Sequence, residues 1–150
     1  MQIVKDKKII DDTWSYVADG AELVNGNITI SLARWNQYHQ QLLAHEGKLG
    51  LRITPIDTVD EMAANLHRID LIELEFPDFA DGRLFSHAWY LRNRFGYQGE
   101  IRATGHFMPD QVFYLSRVGV NAFSPEKTEY LPFVLSNLDD FTVKYQNSTN

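Results

Sequence analysis

The sequence contains no cysteine. That excludes disulfides, thiolate metal sites, thiol nucleophiles and thiol redox chemistry. Positive charge is also scarce. Lys and Arg number 14 against 20 Asp and Glu, a formal charge of −6 with histidine neutral. Neutralising phosphates takes clustered Lys and Arg, so nucleic acid is not an expected partner. No apolar run approaches the roughly 20 residues of a spanning helix, so no membrane partner is expected either. The charged opening, with Lys5, Asp6, Lys7 and Lys8, does not read as a signal peptide. The expected location is therefore cytoplasmic, where the triplets at Asn27 and Asn147 have no meaning as glycosylation sites.

Several catalytic signatures are missing too. There is no G-x-G-x-x-G, no P-loop, no H-E-x-x-H and no G-x-S-x-G. A nucleotide phosphate cradle and a hydrolase elbow thus lack their fingerprints. His39, His45, His67, His87 and His106 are scattered along the chain, so a metal site would need long-range assembly. No cofactor and no metal are expected.

What is present fits one domain. A chain of 150 residues, 44% of them apolar, is long enough for a real core and too short for two. Residues 1–27 read as a β-rich arm, 28–146 as βα repeats and 147–150 as a loose tail. In the arm, Ile3-Val4 and Ile9-Ile10 flank polar Asp6-Lys7 as a small hairpin would, and Trp14 to Val17 is a further strand. Strands are then expected at Ile28–Leu32, Leu49–Ile53, Leu71–Phe76, Glu100–Thr104, Val120–Phe123 and Thr142–Tyr145.

Helices are expected between them. Trp35, Tyr38 and Leu42 have helical spacing before Gly47. Thr58 to Glu61 fits a capping box ahead of a stripe of Val59, Met62, Ala63 and Leu66. Asp81 suits a helix cap before Leu84, Ala88, Leu91 and Phe95, with Gly96 as the stop. Pro109 opens a helix that Gly119 ends, and the last helix starts either at Ser124-Pro125-Glu126 or at Pro132. The alternation predicts an α/β fold: a mostly parallel open sheet of about six strands with alternating helices, plus the β arm. The alternative is a partial (β/α) barrel, since a full one takes about 250 residues.

Ligands of such sheets sit at the carboxyl ends of the strands. That rule selects the loops 75–83 and 104–111. Their candidate anion- or ligand-binding residues are Asp81, Arg83, Ser86, Arg102, Gly105, His106, Asp110 and Gln111. Arg102 lies within a strand. Buried there, it would need a carboxylate, and Glu73 or Glu75 on the neighbouring strand could supply one. The commoner roles are structural: capping for Asp81, ion pairing or apolar cover for Arg83 and Arg92, and turn geometry for Gly82 and Gly105. Tyr90 and Tyr114 fall off the apolar stripes, which suggests an aromatic contact surface.

Two blocks carry a resemblance. Asp81-Gly82-Arg83 with Ser86 forms D-G-R-x-x-S, and Asp110-Gln111 through Leu115, Arg117 and Gly119 forms D-Q-x-x-x-L-x-R-x-G. With Arg92, Arg102 and Gly105 between them, these blocks resemble the bacterial domain-of-unknown-function 934 family over about Ile28 to Gln146. In the family pattern the residue after the Gly105 position is commonly Asp; here it is His106, so no acid role carries over. The resemblance implies an uncharacterised bacterial protein whose relatives are often encoded beside assimilatory sulfite reductase. It implies an accessory or interaction protein, with sulfite reductase or another sulfur-assimilation protein as partner. The alternatives are an enzyme or sensor binding a small oxyanion or phosphorylated metabolite, and an oxidoreductase with a bound flavin or nicotinamide. A homodimer is a further expectation for an open parallel sheet.

Overall fold

The computed structural model describes residues 1–77 and 82–138. The cap expected at Asp81 and the strand expected at Thr142–Tyr145 lie outside the described residues.

The arm forms as its pattern predicts. Strands β1 (Gln2–Lys5) and β2 (Lys8–Asp11) make an antiparallel hairpin. Asp6 and Lys7 close it at positive φ, 50° and 65°, the backbone of a type I′ turn whose twist matches its strands. β3 (Trp14–Tyr16) follows after two residues.

The repeats follow. β4 (Asn27–Ser31) leads into α1 (Leu32–Leu42), β5 (Leu49–Ile53) into a 3₁₀ segment (Val59–Arg68), and β6 (Leu71–Phe76) towards α2 (Arg83–Trp89). A π turn (Tyr90–Arg94) extends α2. β7 (Glu100–Gly105) precedes a 3₁₀ turn (Pro109–Gln111) that runs into α3 (Val112–Arg117). β8 (Ala122–Pro125) ends the sheet, and residues 131–138 are helical (α4). Of the two starts considered for this last helix, the one marked by Pro132 is correct; Ser124 and Pro125 belong to β8.

The second crossover departs from expectation. Thr58 makes no side-chain cap bond, and 59–68 winds as 3₁₀ rather than α. Val59, Met62 and Leu66 are buried, and Ala63, expected in the same stripe, is exposed. Glu61, free of the capping box, instead accepts a hydrogen bond from Asn36 Nδ2 at 3.0 Å.

The sheet has eight strands in the order β2-β1-β8-β7-β6-β5-β4-β3. From β3 to β8 every neighbouring pair is parallel and sequential; β1 joins β8 antiparallel. Sequential right-handed crossovers put every helix on one face. Chain length then forces curvature. β2 and β3 are opposite edges of the sheet, yet Asp11 and Trp14 are neighbours but for Asp12 and Thr13. Three residues span at most about 11 Å. Eight flat strands would hold the edges roughly 34 Å apart at about 4.8 Å per strand. The sheet therefore curls into a half-barrel, the partial barrel of the two architectures considered.

The convex face is the apolar one. Ile30, Leu51, Ile72 and Ile101 form one row across β4 to β7, and Ile53, Leu74, Ala103 and Phe123 form the next. Trp35, Met62, Leu84, Leu91 and Leu115 from the helical layer join them in one buried cluster.

Two polar side chains fasten the lower rim. Arg92 donates from Nε to Gly119 O (2.9 Å) and from Nη1 to Tyr97 O (2.8 Å) and Gly99 O (2.7 Å), tying the end of α2 to the entries of β7 and β8. Burial lowers its pKa, and carbonyls rather than carboxylates are its partners. The buried Tyr97 hydroxyl donates to Ile69 O at 3.0 Å. Burial raises the pKa of this phenol above its ordinary 10.0, so the folded state keeps the proton longer than the unfolded chain. Its contribution is thus full below pH 10 and is lost as pH rises towards the folded-state value, at no more than about 1.4 kcal/mol per pH unit. We expect Tyr97→Phe to flatten the alkaline loss of stability relative to the parent protein. Paired urea titrations between pH 9 and 11 check this, and parallel curves would refute it.

Candidate functional site

Period-two alternation leaves the other residue set on the concave face, and that set is polar. The registers align Ser31, Arg52, Glu73 and Arg102 across β4 to β7, then Ala122 of β8 and Lys5 of β1. One layer towards the strand ends stand Glu75, Thr104 and Ser124. A full barrel fills this space with branched apolar side chains. Here charges of alternating sign occupy it.

Arg102 is the centre. Its side chain is only 2% exposed. It donates from Nε to Glu100 Oε2 (2.8 Å) and from Nη1 to Asp12 Oδ1 (3.0 Å), and its Nη2 stands in an ion pair 2.7 Å from Glu100 Oε2. Glu73 Oε2 stands 4.0 Å from Nη1. Of the two glutamates considered as its partners, Glu73 is the near one. Glu75 instead pairs with Arg52 Nη1 at 3.2 Å, while Arg52 Nε donates to Glu73 Oε1, also at 3.2 Å. Lys5 closes the row on Glu100 Oε1 at 3.2 Å. No buried side-chain nitrogen or oxygen among the described residues lacks a partner.

Asp12 is one of the two residues that link β2 to β3. Its carboxylate also accepts from Trp14 N at 3.0 Å. The link therefore straps the concave face and brings Trp14 and Tyr16 over it. Beneath them lies a cavity of about 320 Å³, walled by Trp14, Tyr16, Arg52, Glu73, Thr104 and Ser124. Thr29 forms part of the floor, and Gly105 and Glu126 stand at the strand ends. The Arg52 guanidinium lies 3.9 Å from the Tyr16 ring centre. Burial raises the Tyr16 pKa although Arg52 lowers it, so the phenol stays a proton donor.

A larger cavity of about 410 Å³ lies between residues 19–23 and α1, walled by Leu23, Tyr38 and Leu42. Its one cation, Arg34, donates to the carbonyls of Ala18 (2.9 Å) and Ala21 (2.6 Å). This cavity runs along α1 from Arg34 to Leu42, and its Asp19 accepts from Ser31 Oγ at 2.6 Å.

The candidate residues disperse over this frame. Arg102 anchors the charge row. Gly105 lines the mouth cavity at φ 95°, and a Cβ there would meet Phe76 O at 2.8 Å, so the end of β7 requires glycine. His106 Nδ1 sits 2.9 Å from Glu126 Oε2 and so stands on the cavity rim. Gln111 caps its own turn: its Oε1 accepts from Met108 N at 2.8 Å. Asp110 is exposed in that turn, and Arg83 and Ser86 are exposed on α2. Asp81 lies outside the described residues. Asp12, Arg52, Glu100, Thr104 and Ser124 are the residues the motifs missed. The signal for two of them was in the strands, where Arg52 and Glu100, like Arg102, interrupt apolar runs.

The helical layer carries a second feature. Trp89 and Tyr90 pack edge to face at the end of α2, with ring centres 5.5 Å apart, and Phe113 and Tyr114 do the same on α3 at 5.6 Å. Trp89 is 49% exposed and Tyr114 57%. An arginine attends each couple, Arg94 at 5.9 Å from Tyr90 and Arg117 at 5.7 Å from Phe113. Among the described residues no cluster of three or more His, Asp or Glu could hold a metal. No helix among them is long and apolar enough to cross a membrane.

The charge row gives a direct test. Arg102→Met leaves Asp12, Glu100 and Glu73 facing one another, and we expect a loss of about 3–5 kcal/mol in denaturant stability. Asp12→Ala should cost less, since Glu100 still holds Arg102, but should speed tryptic cleavage of the arm at Lys7 and Lys8. Unchanged unfolding of Arg102→Met would show that the row does not hold the concave face.

The comparisons agree with the two sequence blocks. No curated protein matches the chain. A family model described as "Bacterial protein of unknown function (DUF934)" matches residues 50–150, a span that includes Arg52, Glu73, Arg102 and both helices with aromatic couples. The chain belongs to this bacterial family.

Proposed function

We propose that the protein is an accessory protein of assimilatory sulfite reduction that works by docking, with sulfite reductase or another sulfur-assimilation protein as its partner. The observation that carries this reading is the pair of exposed aromatic couples on α2 and α3. Trp, Tyr and Arg are the residues in which interface energy concentrates. Two adjacent helical units present them together, and Arg92, which reaches from the end of α2 to Gly119 beyond α3, holds those units side by side. The sulfur-assimilation partner is what the family resemblance implies.

An oxyanion site is supported less well. It needs a cation with unanswered charge. Arg102 faces three carboxylates and Arg52 faces two, which repel a further anion. Redox catalysis would rest wholly on a cofactor, because the chain carries no thiol.

The purified protein should bind purified sulfite reductase at micromolar concentration in biolayer interferometry. Trp89→Ala with Tyr114→Ala should weaken that binding at least about tenfold, since each ring is an anchor of the surface. The variant should unfold as the parent does, because both rings are exposed. Absence of binding by the parent protein, together with unimpaired growth of a deletion strain on sulfite, would falsify the docking reading.

A further inference from the structure

The mouth cavity has a chemistry of its own, independent of the aromatic surface. Each carboxylate in its wall already has a partner: Asp12 faces Arg102, Glu73 faces Arg52, and Glu126 Oε2 stands 2.9 Å from His106 Nδ1. What remains unanswered is neutral. Among the described residues, the hydroxyls of Thr104 and Ser124 make no hydrogen bond to protein. Arg52 uses Nε and Nη1 and keeps Nη2 as a spare donor. The carboxylates keep spare lone pairs beyond their ion pairs. Above these groups stand two aromatic rings, Trp14 and Tyr16.

We infer that this cavity is the binding site of a small neutral polyol, a sugar-sized chain or ring of hydroxyl groups. Three features select that class. Hydroxyls donate and accept at once, so one ligand can answer Thr104, Ser124 and Arg52 on one edge and the carboxylate lone pairs on another. An aromatic ring offers a flat apolar face to the C–H side of such a ligand. An anion would meet Asp12, Glu73 and Glu126 together, and a cation would have to compete with Arg52 and Arg102 for the carboxylates they already hold. The volume of about 320 Å³ lies in the range of small-molecule sites and suits a monosaccharide. The location also fits, because Thr104, Gly105 and Ser124 lie at the carboxyl ends of parallel strands, where half-barrels present their loops.

The test titrates the intact protein with ribose, glucose, myo-inositol and glycerol, and in separate arms with sulfate, phosphate and ethylamine. Melting temperature and tryptophan fluorescence are the two readouts. At least one polyol should raise the melting temperature saturably and change the fluorescence with the same midpoint. Trp14→Phe should remove the fluorescence change while the melting shift persists. Thr104→Ala with Ser124→Ala should weaken binding about tenfold, the loss of one or two hydrogen bonds. General stabilisation by polyols rises without saturation and survives in the double variant, so that pattern alone overturns the proposal. So does a saturable response confined to the anions or to ethylamine.

Discussion

A guanidinium cannot give up its proton inside a protein, so a buried arginine must be met by carboxylates. Arg102 imposes that requirement on this fold. Its answers come from three places far apart in the chain: Glu100 two residues away, Glu73 on the neighbouring strand, and Asp12 in the link between the two edges of the sheet. The last of these matters most. It fixes where the amino-terminal arm crosses the concave face and so completes the burial that makes the charge costly. The row also sets register. A one-residue slip of β6 against β5 or β7 would turn Glu73 and Glu75 into the apolar layer under the helices. Buried ion pairs are weak sources of net stability, and specifying one alignment of strands is the use that suits them here.

Much of this was legible in the residues. The hairpin of the arm, the strands at 49–53, 71–76 and 100–105, and the helix stops at Gly96 and Gly119 follow from local rules about turns and periodicity. The pairing of a buried Arg102 with an acidic residue of the preceding strand followed from the two-residue period. Two things were not legible. The 3₁₀ winding of 59–68 was one, since the residues at Thr58 and Glu61 fit a capping box, yet Thr58 makes no cap bond there. The curl was the other. It depends on β3 lying beside β4 rather than beside β2, a long-range choice that no local signal encodes. Once that choice is known, two link residues make curvature unavoidable.

The motif blocks illustrate a related limit. D-G-R-x-x-S and D-Q-x-x-x-L-x-R-x-G stand out in the sequence, yet Gln111 serves its own turn and Gly105 serves the exit of β7. Conspicuous spacing marked the places where the chain must turn sharply between sheet and helix. The polar wall of the cavity was quieter, because Thr104 and Ser124 are unremarkable in a strand until the register shows that they are neighbours.

The two surfaces of the half-barrel therefore differ in origin as well as chemistry. The family match begins at residue 50 and contains the charge row from Arg52 to Arg102, the hydroxyls of Thr104 and Ser124, and both aromatic couples. Asp12, Trp14 and Tyr16 precede it. The matched span thus supplies Arg52, Glu73, Thr104 and Ser124 of the cavity wall, while Trp14, Tyr16 and Thr29 come from the residues before it. Trp14 and Tyr16 stand on β3, which pairs in parallel with β4 and sets Tyr16 beside Thr29, so the register that fixes the charges fixes the two rings as well. The polar cavity is therefore tied to the alignment of strands from β3 to β8, and the aromatic couples are tied to the helices that build the core.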